Sequence, residues 1–68
     1  MTGLAVRFHR LLEAKGHSMS EVANLAGMER QMAWRIMTGK VENPGVATVR
    51  RIVEAAGGTL GEFFAEED

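Results

Sequence analysis

The sequence predicts an all-α fold, a compact bundle of five short helices. Three observations carry that expectation. Glycines at Gly16, Gly27, Gly39 and the pair Gly57–Gly58 each close a short stretch of apolar-periodic sequence. Glycine just past a helix is the commonest stop, because it enters the left-handed conformation without a Cβ penalty. Between the glycines, apolar residues recur at the three- and four-residue spacing that lines one helical face. Nowhere does an alternating apolar–polar pattern flank a hairpin turn, so strands find no support.

The first helix is expected from about Leu4 to Lys15, capped by Thr2 or Gly3, with Leu4, Phe8, Leu11 and Leu12 facing inward. The second begins after Ser18. Ser18 followed by Glu21 is a capping box, in which each side chain answers an unpaired backbone N–H. This helix buries Val22, Ala23 and Ala26 and ends at Gly27. The third starts near Glu29 and ends at Thr38, with Ala33, Ile36 and Met37 inward and Gly39 as its stop. Asn43–Pro44 marks a turn that sets up the fourth helix, about Val46 to Ala56, which is expected to bury Val46, Val49, Ile52 and Val53. Thr59 then caps a short fifth helix, Leu60 to about Ala65, with Leu60, Phe63 and Phe64 apolar.

The 68 residues are read as one domain, 1–68, with a frayed acidic end at 65–68. At this length the core is thin, and an active-site cleft with its own supporting shell has little room. There is no cysteine, which excludes disulfides and thiolate metal sites. The formal net charge of −1 hides an asymmetry: residues 1–61 hold all eight Lys and Arg with five Glu, whereas Glu62 to Asp68 hold four acidic residues and no basic one. No apolar stretch is long enough for a membrane span, and Arg7, His9 and Arg10 stand where a signal peptide would need apolar sequence. The chain is therefore expected to be cytoplasmic. His9 and His17 lack the further ligands that a metal site requires, and are expected at the surface or in a cap, His17 half-buried and hydrogen-bonded. No cofactor is expected. Ser18 and Ser20 have no identifiable base and no phosphate-cradling glycine loop is present, which argues against an enzyme.

Helices two and three, joined by a tight turn at Gly27, have the shape of a helix-turn-helix. Ala23, Gly27, Met28 and Ile36 fall where two such helices cross closely, and the small residue at 23 lets the backbones approach.

From Leu4 to Phe64 the chain resembles the helix-turn-helix domain of the lambdoid phage repressor and Cro family, also called the XRE family. The resemblance rests on linked features in order: Leu4-x3-Phe8, Lys15-Gly16 before Ser18, Glu21-Val22-Ala23, Ala26-Gly27, Arg30, Ile36, Thr38-Gly39-Lys40, Asn43-Pro44, Val46-x-Thr48-Val49, Ile52, and Thr59-Leu60-x-Glu62-Phe63-Phe64. It implies a lambda-repressor-like fold that places helix three in the major groove of double-stranded DNA, with half-sites about one helical turn apart for a homodimer. The outward positions become Arg30, Gln31, Trp34 and Arg35, with Met32 partly outward. Arg pairs bidentately with guanine and Gln with adenine, while Met32 and Trp34 suit a thymine methyl or a sugar. Ser18 and Met19, at the start of helix two, and Lys40, with the backbone after Gly39, become phosphate contacts. The resemblance also implies a dimer surface near the last helix, for which Phe63 and Phe64 are the candidates, at least one being left over from so thin a core.

The sequence departs from the family at several points. Met19 stands where Gln usually contacts the DNA backbone. Glu29 either accepts a hydrogen bond from cytosine or caps helix three. Trp34 packs on a neighbour, lies at a protein interface or meets DNA. Many members carry an Arg at the position of Leu12 and a Glu at that of Met37, and exchanging a buried ion pair for apolar packing is often neutral or stabilising. Leu12 and Met37 are thus expected to touch. Arg50 and Arg51 are expected to be solvent charges or partner contacts.

The leading expectation is a sequence-specific transcriptional regulator, binding a palindromic operator as a dimer and having no room for a small-molecule effector domain. The alternative is a protein-interaction module, antitoxin-like or adaptor, that keeps the fold without the DNA. The overall acidity, Glu29, Trp34 and Met19 favour that alternative. Uncancelled positive charge on the face of Arg30, Gln31, Arg35 and Lys40 would favour the first, and its cancellation by Glu29 and Glu42 the alternative.

Overall fold

A helix leaves its first N–H and last C=O groups unpaired, and the helix ends in this chain fall at residues able to answer them. A computed structural model describes residues 3–65. In it α1 spans Gly3–Lys15, α2 Met19–Ala26, α3 Arg30–Met37, α4 Val46–Ala55 and α5 Leu60–Phe63. All described secondary structure is helical. Thr2, the other cap expected for α1, and residues 66–68 of the expected frayed end lie outside the described residues.

The capping box at α2 is complete. Ser18 Oγ accepts from the Glu21 N–H at 3.2 Å, and Glu21 Oε1 accepts from the Ser18 N–H at 3.0 Å. A second box opens α5, where Thr59 Oγ1 accepts from the Glu62 N–H and Glu62 Oε1 from the Thr59 N–H, both at 3.2 Å. Only its Thr59 half is foreseen above, although Thr59-x-x-Glu62 repeats the Ser18-x-x-Glu21 pattern.

α2 ends in a left-handed Gly27 at φ 68°. The Met28 N–H reaches back to the Ala23 carbonyl at 3.0 Å and the Gly27 N–H to that of Asn24 at 3.1 Å. That paired arrangement satisfies the last carbonyls and turns the chain within three residues into α3. The same pair of bonds closes α3 and α4 at Gly39 and Gly57, and at Gly16, also left-handed, the His17 N–H reaches back to the Leu12 carbonyl at 3.1 Å to close α1. Alanine at 27 would be held in a conformation that disfavours a side chain by about 1–2 kcal/mol. Its Cβ would also lie 3.3 Å from Arg51 Nη2. Gly27→Ala is therefore expected to lower the urea unfolding midpoint measurably. An unchanged midpoint would contradict the role given to the turn.

The core gathers one face from every helix. Phe8, Val22, Ala33, Ile52 and Val53 are fully buried, with Leu11, Leu12, Ala23, Ile36, Met37, Val49, Ala56 and Phe63 around them. Small side chains sit where α2 meets α3: Ala23 and Ala33 are both buried, so the two backbones pack closely. Leu12 and Met37 are both buried in this one cluster. The Phe63 ring packs on Phe8, with centroids 4.6 Å apart and planes tilted by 51°.

The structure corrects the sequence reading in three places. Val46 is 66% exposed rather than buried. Its spacing to Val49 fits the inward face, but it is the first residue of α4, and this first turn overhangs the core. Ala5, not foreseen because of its size, is buried on the same face of α1 as Phe8 and Leu12, while Leu4 is only half-buried. α5 ends at Phe63 rather than near Ala65, with Phe64 as its cap and the Ala65 N–H bonded to the Glu62 carbonyl.

Candidate nucleic-acid interface

Once α3 buries Ala33, Ile36 and Met37, helical geometry fixes what faces outward. Arg30, Gln31, Trp34 and Arg35 are all exposed and fall on one side of α3. Met32 is 46% exposed but lies on the flank, between the outward set and the buried one. The four outward side chains form no hydrogen bond, ion pair or ring contact with the described residues. Trp34 is 46% exposed, so packing on a neighbour covers only part of it.

Glu29 is the N-cap of α3. Its two carboxylate oxygens accept from the Gln31 N–H at 3.1 Å and the Met32 N–H at 3.0 Å. A carboxylate at a helix N-terminus is held there by charge-assisted bonds and by the helix dipole. Its negative charge is thereby partly offset, and the Arg30 guanidinium has no partner among the described residues.

A groove of about 520 Å³ runs between the first turns of α2 and α3, lined by Met19, Ser20, Glu29, Arg30, Gln31 and Trp34. Met19 packs part of its side chain on the core. The capping box uses the Ser18 and Glu21 N–H groups, which leaves the first-turn N–H groups of Met19 and Ser20 without an acceptor among the described residues. Ser18 accepts with its hydroxyl oxygen and retains the O–H as a donor. At the far end of α3, the Lys40 N–H is committed to the Arg35 carbonyl at 2.8 Å, so only its exposed ammonium is available to an anion. Thr38 Oγ1 donates to the Trp34 carbonyl at 2.8 Å and tightens the same end.

Two arginines set the frame: Arg51, which is tied into the fold rather than left as the solvent charge or partner contact expected of it, and Arg7. Arg51, on α4, donates from Nε to the Ala26 carbonyl at 2.7 Å and from Nη2 to that of Gly27 at 3.4 Å. It ties the end of α2 to α4 and so fixes the turn from which α3 projects. Arg7 donates from Nη1 to the Phe63 and Ala65 carbonyls at 2.9 and 3.2 Å. Its guanidinium also lies over the Phe64 ring, 5.7 Å from the centroid. Phe63, one of the two dimer candidates, is only 5% exposed and committed to the core, whereas Phe64 is 47% exposed and meets Phe63 edge-on.

Three of the described acids beyond Glu29 have a side-chain partner. Glu13 pairs with His9, Glu62 with Lys15 and Glu21 with His17. His17 is partly buried and its Nδ1 lies 3.4 Å from Glu21 Oε1, as expected for a bonded, half-covered histidine. The Ser18 N–H and the His17 ring hold the Glu21 carboxyl below its usual pKa of 4.5. A depressed carboxyl contributes stability above its unfolded pKa and loses it as pH falls through the folded one. The stability difference between the parent and Glu21→Gln is thus expected at neutral pH and should vanish in acid, read as urea midpoints against pH. A difference that persists after Glu21 has protonated would overturn this.

Among the described residues no three His, Asp or Glu side chains gather as a metal site would require. No described helix is long and apolar enough to cross a membrane. No curated protein and no solved structure matches the chain. The family comparison does find a match, and it covers the whole frame built above: over residues 4–63 the chain matches the helix-turn-helix domain family, and it belongs to that family.

Proposed function

We propose that this domain is a DNA-binding transcriptional regulator of the phage repressor and Cro (XRE) type, acting in the cytoplasm without catalytic activity or cofactor. The observation that carries the reading is the outward face of α3: Arg30, Gln31, Trp34 and Arg35 are exposed, without a partner among the described residues, on the second helix of a helix-turn-helix. In this reading α3 lies in the major groove and Arg30, Gln31 and Arg35 read base edges. Met32, on the flank of α3, reaches no further than a sugar or a thymine methyl at the rim. Phosphates are held by the Lys40 ammonium, the Ser18 hydroxyl and the first-turn N–H groups at Met19 and Ser20. Arg30, Arg35 and Lys40 have no ion pair among the described residues, which supports a positive face despite the chain's net charge of −1. Two copies related by a two-fold axis occupy half-sites one helical turn apart, and Phe64 is the exposed aromatic available to their contact.

A protein-interaction module is the second reading, and the exposed Trp34 beside the Glu29 charge is what favours it. Selection from randomised duplexes at about 150 mM salt, where screening is physiological, separates the two. Enrichment of a two-fold motif is the expected result. Folded protein that enriches nothing and binds no duplex at low salt would overturn the DNA reading in favour of a protein partner.

A further inference from the structure

The groove beside α3 carries a chemistry that base pairing with Arg30 and Gln31 leaves unexplained. Two of its lining side chains, Met19 and Trp34, are apolar, and they share the groove with Gln31. The Trp34 indole has no ring, cation or hydrogen-bond partner among the described residues, although its backbone carbonyl is bonded. We propose that this groove receives the 5-methyl group of a thymine, so that each half-site contains an A·T pair read by Gln31 and the Trp34–Met19 wall together. The inference rests on the DNA-binding reading and names the base pair that it selects.

The argument is one of complementarity. The thymine methyl is the apolar group that base edges present in the major groove; the other edges there offer hydrogen-bond donors and acceptors. An apolar wall set against one of those would strip its water and return no bond, which is unfavourable. Against a methyl group the same wall is favourable. Gln31 adds the matching half, because its amide pairs bidentately with the N6 and N7 of adenine, which share the major-groove edge of one A·T pair with the thymine O4 and methyl. The acceptor that would favour cytosine is the Glu29 carboxylate, and it is already held by the Gln31 and Met32 N–H groups. Arg30 lines the groove beside the apolar part and has no ion pair among the described residues, which suits the phosphates that rim a major groove.

The test takes the duplex recovered by selection and replaces each thymine in turn by deoxyuridine, which removes only the methyl. Dissociation constants are measured at one fixed salt concentration. One thymine per half-site is expected to weaken binding about fourfold when changed, the equivalent of ~0.8 kcal/mol for one buried methyl. Trp34→Ala, at an exposed position, is expected to bring the thymine-to-uracil ratio at that position close to one. Equal binding of the thymine and uracil duplexes at every position overturns the inference while leaving DNA binding intact. A Trp34→Ala protein that keeps the full ratio also overturns it. Failure to bind any duplex overturns the DNA-binding reading itself, and this inference with it.

Discussion

Phe8→Ala is expected to leave the chain largely unfolded at 25 °C. The ring is fully buried and packs on Phe63, 4.6 Å away between centroids. Truncating a buried Phe to Ala typically costs about 3–5 kcal/mol, because the lost transfer energy is joined by a cavity that the neighbours only partly fill. A domain this small commonly has no more than about 3–5 kcal/mol of net stability, so the loss is comparable to the whole. No disulfide is available to offset it. The effect extends beyond the core, because Phe63 loses the ring that anchors α5. Phe8→Leu fills most of the space, and volume-conserving apolar exchanges usually cost less than about 1.5 kcal/mol. It is expected to fold with a lowered midpoint. Phe64→Ala, at a ring 47% exposed, removes far less buried surface and should stay close to the parent. Far-UV circular dichroism through a urea titration ranks the three. A Phe8→Ala midpoint near that of the parent would contradict the packing described here.

The contrast between Phe63 and Phe64 shows what the sequence made legible and where that stopped. Their adjacency and the thinness of the core imply that at least one ring must find another use. Which ring goes inside depends on the direction in which α5 leaves its Thr59 cap, and periodicity has little to work with in a four-residue helix. Helix ends were easier to read, because their determinants are local: glycine stops and the Ser18–Glu21 box act within one turn. Glu29 escaped a firm assignment because it is not among the residue types that usually cap a helix. Arg51 and Arg7 were out of reach for another reason. Their partners are backbone carbonyls 25 and 56 positions away, and a carbonyl carries no residue identity to recognise. Val46 shows the limit of periodicity itself, which states the face of a helix but not whether anything lies opposite. The outward face of α3 was legible because the buried positions of a regular helix determine the exposed ones. Its ligand leaves no such mark in the chain.

Arg30→Ala is expected to produce the largest single loss in DNA binding, and the form of that loss identifies what Arg30 does. It stands in the first turn of α3, exposed, with no ion pair among the described residues, on the wall of the groove that Gln31 and Trp34 share. A side chain reading guanine bidentately contributes about 1–3 kcal/mol of discrimination, so its removal should weaken the preferred site roughly five- to 150-fold. It should also relax preference at one base pair and leave the others unchanged. A phosphate contact behaves differently. Its loss weakens binding to all sequences alike and reduces the salt slope by about one. Lys40→Ala is the comparison with that second signature, because its ammonium is exposed and its backbone N–H is already bonded to Arg35. Neither substitution touches the buried cluster, so the unfolding midpoints should stay close to the parent's. Selection repeated with both variants, together with affinities at several salt concentrations, separates the two roles. Uniform weakening by Arg30→Ala with a reduced salt slope would make Arg30 a phosphate contact and transfer the reading of bases to Gln31, Trp34 and Arg35.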